Sequence, residues 1–432
     1  MNSGNKLQRV LVTDAHELAG LATVRSLGRA GYRVIAGYAG DHGRPAVASS
    51  RYCRETVEHP NAWTNPALFR SWLQDFQSKC DIILPISEAA LVGVARLRSE
   101  FGGRKLLILP DDASLQVTLS KYRANRKAME LGIACPRTVF IRGNDGEQQW
   151  NDDLSALRFP IVIKTDNHFT EDGQYKKGRA TIATNADEAN EVVARLRPSR
   201  EAVLAQEWVP GYGAGAFLLR SGERIQLVFS HKRLHEVPYS GGYSSLRQST
   251  YDRECLDLGA KLLESIGYNG AAMVEFRRNP AHGATYFLEV NGRLWGSLAL
   301  ALHAGVDFPL ALLESSLSDL SSHQRPASYK IGLKCRNIFP GELGHLHSVF
   351  VPGNSAKVAP PPSKTKALLT FFGLSLNPGI RHDYFWWTDP LPGFVQSWRT
   401  LRHSFWSLLR YGRRAAASQK CTEDLSSLVH SR

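Results

Sequence analysis

Cysteine is scarce and poorly placed for chemistry. Six are spread over 432 residues, at Cys53, Cys80, Cys135, Cys255, Cys335 and Cys421, and no two form a Cys-x-x-Cys pair. That spacing supports neither a zinc site nor a disulfide framework, and it fits reduced thiols in a cytosol. Long apolar runs are also missing, with nothing near the roughly 18 residues that a membrane-crossing helix needs. The start, Met1-Asn2-Ser3-Gly4-Asn5-Lys6, is polar and runs into a strand, so no secretory leader is expected. Glycine is absent where a dinucleotide would require it: the first strand–helix turn reads Thr13-Asp14-Ala15-His16-Glu17. Without glycines the backbone cannot approach a pyrophosphate, which excludes a dinucleotide fingerprint there. Acidic residues are short at one end only. Residues 321–432 carry 15 Lys and Arg against 5 Asp and Glu, so +10 of the net +13 sits in that tail. Charge confined to a tail, with no recognition motif beside it, gives no reason to expect a nucleic-acid partner. These absences lead to the expectation of a cytoplasmic globular protein, with the basic tail leaving a peripheral place at the inner membrane surface as the alternative.

What is present divides the chain into three: 1–114, 115–320 and 321–432. Residues 7–110 alternate apolar strands (Arg9 to Thr13, Arg33 to Gly37, Asp81 to Pro85, Lys105 to Leu109) with helical stretches Glu17 to Arg29 and Glu88 to Ser99. Alternation of that kind predicts an α/β domain with a mostly parallel sheet covered on both faces. The middle part reads as α+β. It has helices over Ser120 to Leu131, Asp187 to Leu196 and Glu254 to Ile266, and strands at Thr138 to Ile141, Ile161 to Lys164, Ala202 to Ala205, Gly215 to Leu219 and Arg224 to Ser230. Past about 330 the pattern turns irregular, with a Pro360-Pro361-Pro362 linker or surface loop.

The strongest chemical signal is a polar triplet on an apolar strand. In Phe287-Leu288-Glu289-Val290-Asn291-Gly292-Arg293, side chains repeat every two positions, so Glu289, Asn291 and Arg293 share one face. An earlier run, Ala271 to Phe276, contributes Glu275. A turn centred near Ala281 would set Glu275 opposite Phe287 and diagonal to Glu289, roughly 7–8 Å away, close enough for both carboxylates to hold one ion. Two carboxylates and an amide oxygen suit Mg²⁺ bridging phosphates. Lys164 ends a strand ahead of the polar stretch Thr165 to Arg179, with Lys176-Lys177-Gly178-Arg179 as a cationic lid, and Lys121 opens a helix. Both lysines can meet phosphate. Gln206-Glu207-Trp208-Val209 extends from a buried strand to a glycine turn and can offer its backbone to an adenine edge. The basic loop His231 to Arg247, with Lys232, Arg233 and Arg247 around a glycine turn, can bind carboxylate or phosphate. Each piece taken singly also fits a solvated or structural role.

Their order is what distinguishes them. Lys121, Lys164, Gln206 to Val209, the basic loop, Glu275 and Glu289-x-Asn291-x-Arg293 together resemble the ATP-grasp superfamily over about residues 115–315. The preceding α/β region resembles the domain that commonly precedes ATP-grasp. Glu289-Val290-Asn291-Gly292-Arg293-Leu294-Trp295-Gly296-Ser297, with Ala304-Gly305-Val306-Asp307-Phe308-Pro309, is similar to a carboxylate–amine ligase-like branch. The resemblance implies that Lys121 and Lys164 hold the ATP phosphates and that Gln206, Glu207, Trp208 and Val209 receive adenine. It further implies that Glu275, Glu289 and Asn291 ligate Mg²⁺ (or Mn²⁺), and that Arg293, aided by Lys232 and Arg247, steadies the reacting groups. The implied reaction phosphorylates a carboxylate to an acyl phosphate and joins it to an amine, both small molecules. Two departures stand out: Gly292 occupies a position where many relatives have proline, and Gly213 one where some have a ribose-binding carboxylate. The alternatives are bicarbonate phosphorylation, for which no biotin or glutaminase module is present, and a non-catalytic ATP-binding adaptor or sensor.

In the tail, Phe394, Trp398, Leu401, Phe405 and Leu408 recur at helical spacing among Arg399, Arg402, His403 and Arg410. This helix is expected to pack on its own enzyme, with Trp386 and Trp387 in the seam. The competing reading is contact of residues 391–414 with an anionic membrane.

Overall fold

The computed structural model describes residues 8–101, 106–142, 147–166, 168–169, 175–176, 178, 180–197, 202–317 and 328–402. The lid residues Asp172, Gly173, Lys177 and Arg179, and the tail residues Phe405 and Leu408, lie outside them.

The first sheet is wholly parallel. Strands β1 (Arg9–Val12), β2 (Arg33–Ala39), β3 (Glu55–His59), β4 (Ile82–Leu84) and β5 (Leu106–Leu107) run in the order β3-β2-β1-β4-β5. The unbroken apolar runs of β1 and β4 are buried, as strands covered on both faces must be. The helix Leu18–Arg29 ends at Gly31, whose φ of 94° continues the chain where a side chain would be strained. β3 and the helix Pro66–Phe76 were not expected from the sequence. Glu55-Thr56-Val57-Glu58-His59 is mainly polar because β3 is the sheet's edge and is only partly buried.

A second, antiparallel sheet holds β6 (Thr138–Arg142) and β7 (Ile161–Thr165), and a two-stranded ribbon follows of β8 (His168–Phe169) and β9 (Tyr175–Lys176). With β10 (Ala180–Ala183) and β11 (Ala202–Glu207), the sheet's order is β10-β7-β11-β6. The third sheet has seven strands, namely β12 (Tyr212–Ser221), β13 (Arg224–Val237), β14 (Tyr243–Thr250), β15 (Gly270–Arg278), β16 (Thr285–Asn291), β17 (Lys334–Arg336) and β18 (Arg381–His382), in the order β16-β15-β12-β13-β14-β17-β18.

Two expectations are corrected here. The basic stretch His231 to Arg247 is no loop but the end of β13, a tight connection and the start of β14. Its connection contains Gly241 and Gly242 at φ 143° and 153°, and a Cβ at Gly242 would lie 2.1 Å from the Val237 carbonyl oxygen. The stretch reads as solvated because it is charged, whereas Arg233, His235, Glu236 and Arg247 are paired inside the protein. The described residues beyond 330 are also not irregular. They supply β17, β18 and the helices Leu343–Phe350 and Lys364–Leu376.

One apolar cluster joins the helix Leu18–Arg29 to Phe217 and Met273 of the third sheet, to Trp295, and to the helix Leu298–Ala304. Full burial of such side chains contributes about 1.5–3 kcal/mol each. A buried cation reinforces the junction. Arg25 donates to the Asp389 carboxylate at 2.8 Å and to the carbonyls of Asp383 (2.8 Å) and Tyr384 (2.7 Å), with its guanidinium 4.7 Å from the Trp386 ring centre.

Candidate active site

The second and third sheets face each other across a cleft of about 1120 Å³. Lys164, on β7, projects into it. Lys121 comes from the start of the helix Lys121–Glu130, where Ser120 caps the Arg123 amide. Asp166 ties the two lysine-bearing elements, accepting from the Ser120 hydroxyl at 2.7 Å and from the Lys121 amide at 2.5 Å. Lys121 Nζ lies 3.9 Å from Glu289. Burial lowers the Lys164 ammonium from its ordinary value and Lys121 adds to this, against Glu289 and Glu275.

The acidic hairpin differs from expectation in one step. A bulge between Glu275 and Phe276 leaves Phe276 opposite Phe287 but brings Glu275 directly opposite Glu289. The two carboxylates are therefore closer than a diagonal pair. Asn291 Nδ2 lies 3.3 Å from Glu289 Oε1 and 3.5 Å from Glu275 Oε1, so all three side chains converge. Burial pushes the Glu275 carboxyl up, and Arg233 does not fully offset it. At Glu289 burial acts in the same direction, but Lys121 and Lys164 outweigh it and hold the carboxyl below its ordinary value. Convergent hard oxygens, partly compensated by cations, fit a Mg²⁺ ion.

Arg293 lies past the end of β16, not on it. Its Nη1 donates to the Leu294 carbonyl at 3.0 Å, and the residue lines both the cleft and a smaller cavity of about 260 Å³. Gly292 is required there by space, since a Cβ would lie 2.6 Å from Thr118 Oγ1. The hinge segment is largely engaged in scaffolding. Gln206 Nε2 donates to Asn125 and Thr138, both at 3.0 Å, and Glu207 accepts from the Arg158 amide (2.9 Å) and guanidinium (3.0 Å). Trp208 N–H bonds the Pro160 carbonyl at 3.1 Å. All four hinge residues still line the cleft.

Lys232 and Arg247 are not among the residues lining the cleft. Lys232 alternates to the face of β13 opposite Arg233. Arg247 is fully buried and paired with Asp383 of the C-terminal region. Their place is taken by Arg233, named from the sequence only as part of the basic stretch, and by Glu236 and Arg277, which were not singled out. Arg233 bonds Glu275 at 2.5 Å and reaches Glu236 at 3.5 Å, and Glu236 pairs with Arg277 at 2.8 Å. Arg277 also donates to the Val209 carbonyl at 3.2 Å, which links this chain of charges to the hinge. The carboxylates raise Arg233 above its ordinary value even though burial lowers it. The signal available was the Arg-x-x-Glu spacing on a strand with a bulge, which puts both residues on the cleft side. Gly213 has no room for a side chain: a Cβ would lie 2.6 Å from Arg233 Cδ and 2.8 Å from Glu236 Oε1. His347, Ser348, Asn354 and Ser355 of the C-terminal region complete the wall.

No family model matches the chain, and no curated protein matches it in sequence. Solved structures do match. L-amino acid ligase from Bacillus licheniformis superposes with a TM-score of 0.54 at 15% identity, over 73% of this chain and 75% of that one. The biotin carboxylase domain of 2-oxoglutarate carboxylase from Hydrogenobacter thermophilus, in complex with MgADP, ADP and bicarbonate, gives 0.59 at 14%, over 77% and 74%. N5-carboxyaminoimidazole synthetase from Staphylococcus aureus gives 0.58 at 13%, over 82% and 88%. The chain therefore shares the fold of these structures, the ATP-grasp fold.

Proposed function

We propose that the protein is an ATP- and Mg²⁺-dependent ligase that activates a carboxylate as an acyl phosphate and joins it to an amine. The observation that carries this reading is the convergence of Lys121, Lys164, Glu275, Glu289 and Asn291 at one end of the cleft, in an ATP-grasp fold. Adenine would lie against Trp208 and Val209, taking the Val209 amide because Trp208's is bonded to Pro160. Glu275, Glu289 and Asn291 would hold Mg²⁺, which neutralises charge on the transferred phosphoryl group when bound. Lys121 and Lys164 orient the β- and γ-phosphates and offset the same charge. Arg233 holds Glu275 in place and Arg277 ties that pair to the hinge, so the metal and adenine ends keep a fixed separation. Arg293, at the junction of the two cavities, would meet the carboxylate undergoing activation. The phosphoryl group passes from ATP to the carboxylate oxygen; the amine then attacks the acyl carbon and inorganic phosphate leaves, with no covalent role for the protein.

The test is ADP release with pooled carboxylates and amines. Wild-type protein should turn over ATP only when both pools are present, and chelation of the divalent ion should stop it. Glu289→Ala should reduce the rate by at least about 10²-fold, the scale of losing a fixed electrostatic group at such a site. Turnover by this variant at the wild-type rate would refute the metal assignment.

A further inference from the structure

The C-terminal region carries an unusual surface. Between residues 343 and 422 the only acids are Asp383 and Asp389, and both are buried, paired with Arg247 and Arg25. The described part of this region exposes no carboxylate, yet it exposes large apolar side chains in two helical stripes. On the helix Lys364–Leu376 the stripe is Leu369, Phe372 and Leu376, with Leu369 70% and Leu376 84% exposed. On the helix 391–402 it is Leu391, Phe394, Trp398 and Leu401, with Trp398 69% exposed. Both follow i, i+3, i+7 spacing, which in a soluble protein turns the apolar side inward; here it points to solvent. The two helices flank β18, an edge strand of the seven-stranded sheet, in the chain, and Trp387 between them is 87% exposed. Packing on the enzyme, the expectation from sequence, holds for Trp386, which is buried against Arg25 and His303. On the tail helix, Phe394 meets Phe385 at 4.8 Å between ring centres yet stays mostly exposed, and Trp398 and Leu401 face solvent.

Exposed cations accompany them: Lys364 and Lys366 on the first helix and Arg402 on the second. Lys364 Nζ lies 5.5 Å from the ring centre of Phe350, which carries the apolar surface onto the preceding helix, and the neighbouring Val351 lines the cleft. Among the described residues no single helix is long and apolar enough to cross a membrane. We propose that the exposed stripes of the helices Lys364–Leu376 and 391–402, with Trp387, dock together on an anionic lipid bilayer. Apolar and aromatic side chains enter the acyl boundary while lysines and arginines meet lipid phosphates, the arrangement of interfacial amphipathic helices. Charge decides against a second copy of the chain as occupant. In a two-fold dimer the same patch meets itself, which would set cations against cations with no carboxylate from the described residues of these helices to pair them. The position of Val351 places the mouth of the cleft beside the docked face. None of this depends on the ligase reading.

The experiment is sedimentation of the full chain with vesicles of phosphatidylcholine alone and of phosphatidylcholine mixed equally with phosphatidylglycerol, at low and high salt. The wild type should bind the mixed vesicles at least about tenfold better than the neutral ones, and salt should weaken the binding. Leu369→Ser/Phe372→Ser and Phe394→Ser/Trp398→Ser should each lose most of that binding while keeping the wild-type melting temperature, because these side chains are exposed. Lys364→Glu/Lys366→Glu should lose the preference for anionic lipid. Absence of binding, equal binding to both compositions, or wild-type binding by both serine variants would overturn the proposal. So would a concentration-dependent dimer that the same serines dissolve, which would assign the face to a second copy.

Discussion

At the scale of single residues, the site is decided by close approaches. Gly292 carries no side chain because Thr118 Oγ1 occupies the space a Cβ would need, and Tyr268 crowds it from another side at 3.1 Å. Gly292→Ala should therefore cost about 1–3 kcal/mol, the scale of overpacking, and displace Arg293. Chemical denaturation should report the loss, and ADP release should fall with it; a Thr118→Ala change on that background should return part of both. Lys164 provides a pH signature. Burial holds its ammonium below the ordinary lysine value of about 10.4, so it loses its proton at lower pH than an exposed lysine. Because the protonated form holds phosphate, kcat/KM should decline on an alkaline limb below that value. Lys164→Arg, always charged, should abolish the limb even if the maximum rate drops. A limb unchanged in the variant would assign it to another group.

At the scale of elements, small departures from regular strands set the chemistry. The bulge after Glu275 turns a diagonal pair of carboxylates into a facing pair, and the long strand β13 presents Arg233 and Glu236 where a loop was expected. The helix Leu343–Phe350 is joined to β13 and β14 through Glu342, which accepts from His235 at 3.0 Å and from the Ser245 hydroxyl at 2.6 Å and lies 3.5 Å from Arg336. Burial would raise this carboxyl, but His235, Ser245 and Arg336 outweigh it and hold it below the ordinary glutamate value. The stabilisation from its ties is therefore complete above the ordinary value and is lost as pH falls from there through the lowered one. The stability gap between wild type and Glu342→Gln should narrow as pH drops from about 5 to about 3, read by denaturant midpoints. A gap that widens on acidification would contradict the sign.

At the scale of the whole molecule, the C-terminal region is the strap that holds the N-terminal domain to the large sheet. Arg25 meets Asp389 and the carbonyls of residues 383, 384 and 389, and Ser50 and the Arg51 amide close on the same carboxylate at 2.7 and 2.9 Å. Arg25→Leu leaves Asp389 buried without its cation, a change that typically costs about 3–5 kcal/mol. It should lower the melting temperature, and Asp389→Asn on that background should recover part of the loss. Equal stability of Arg25→Leu and wild type would mean that the strap carries no load.

By itself the amino-acid sequence determined the alternating first domain, the helix over Ser120 to Leu131, and the shared strand face of Glu289 and Asn291. Periodicity, helix-stopping glycines and polar residues on apolar strands are local properties, readable within a few positions. Lys121, Lys164, the hinge and the acidic hairpin were legible as an ordered series, and the structure gathers them at one cleft. What only the tertiary structure decided depends on partners far apart along the chain. Arg233 and Arg247 look alike in sequence, yet one meets Glu275 in the cleft and the other meets Asp383 in the core. The charged stretch they share reads as solvated, since nothing local reveals a buried carboxylate 42 or 136 residues away. The apolar stripe at Phe394 shows the opposite limit. Its helical spacing is plain in the sequence, but the direction in which the stripe faces depends on the body it is attached to, and in the folded protein it faces outward.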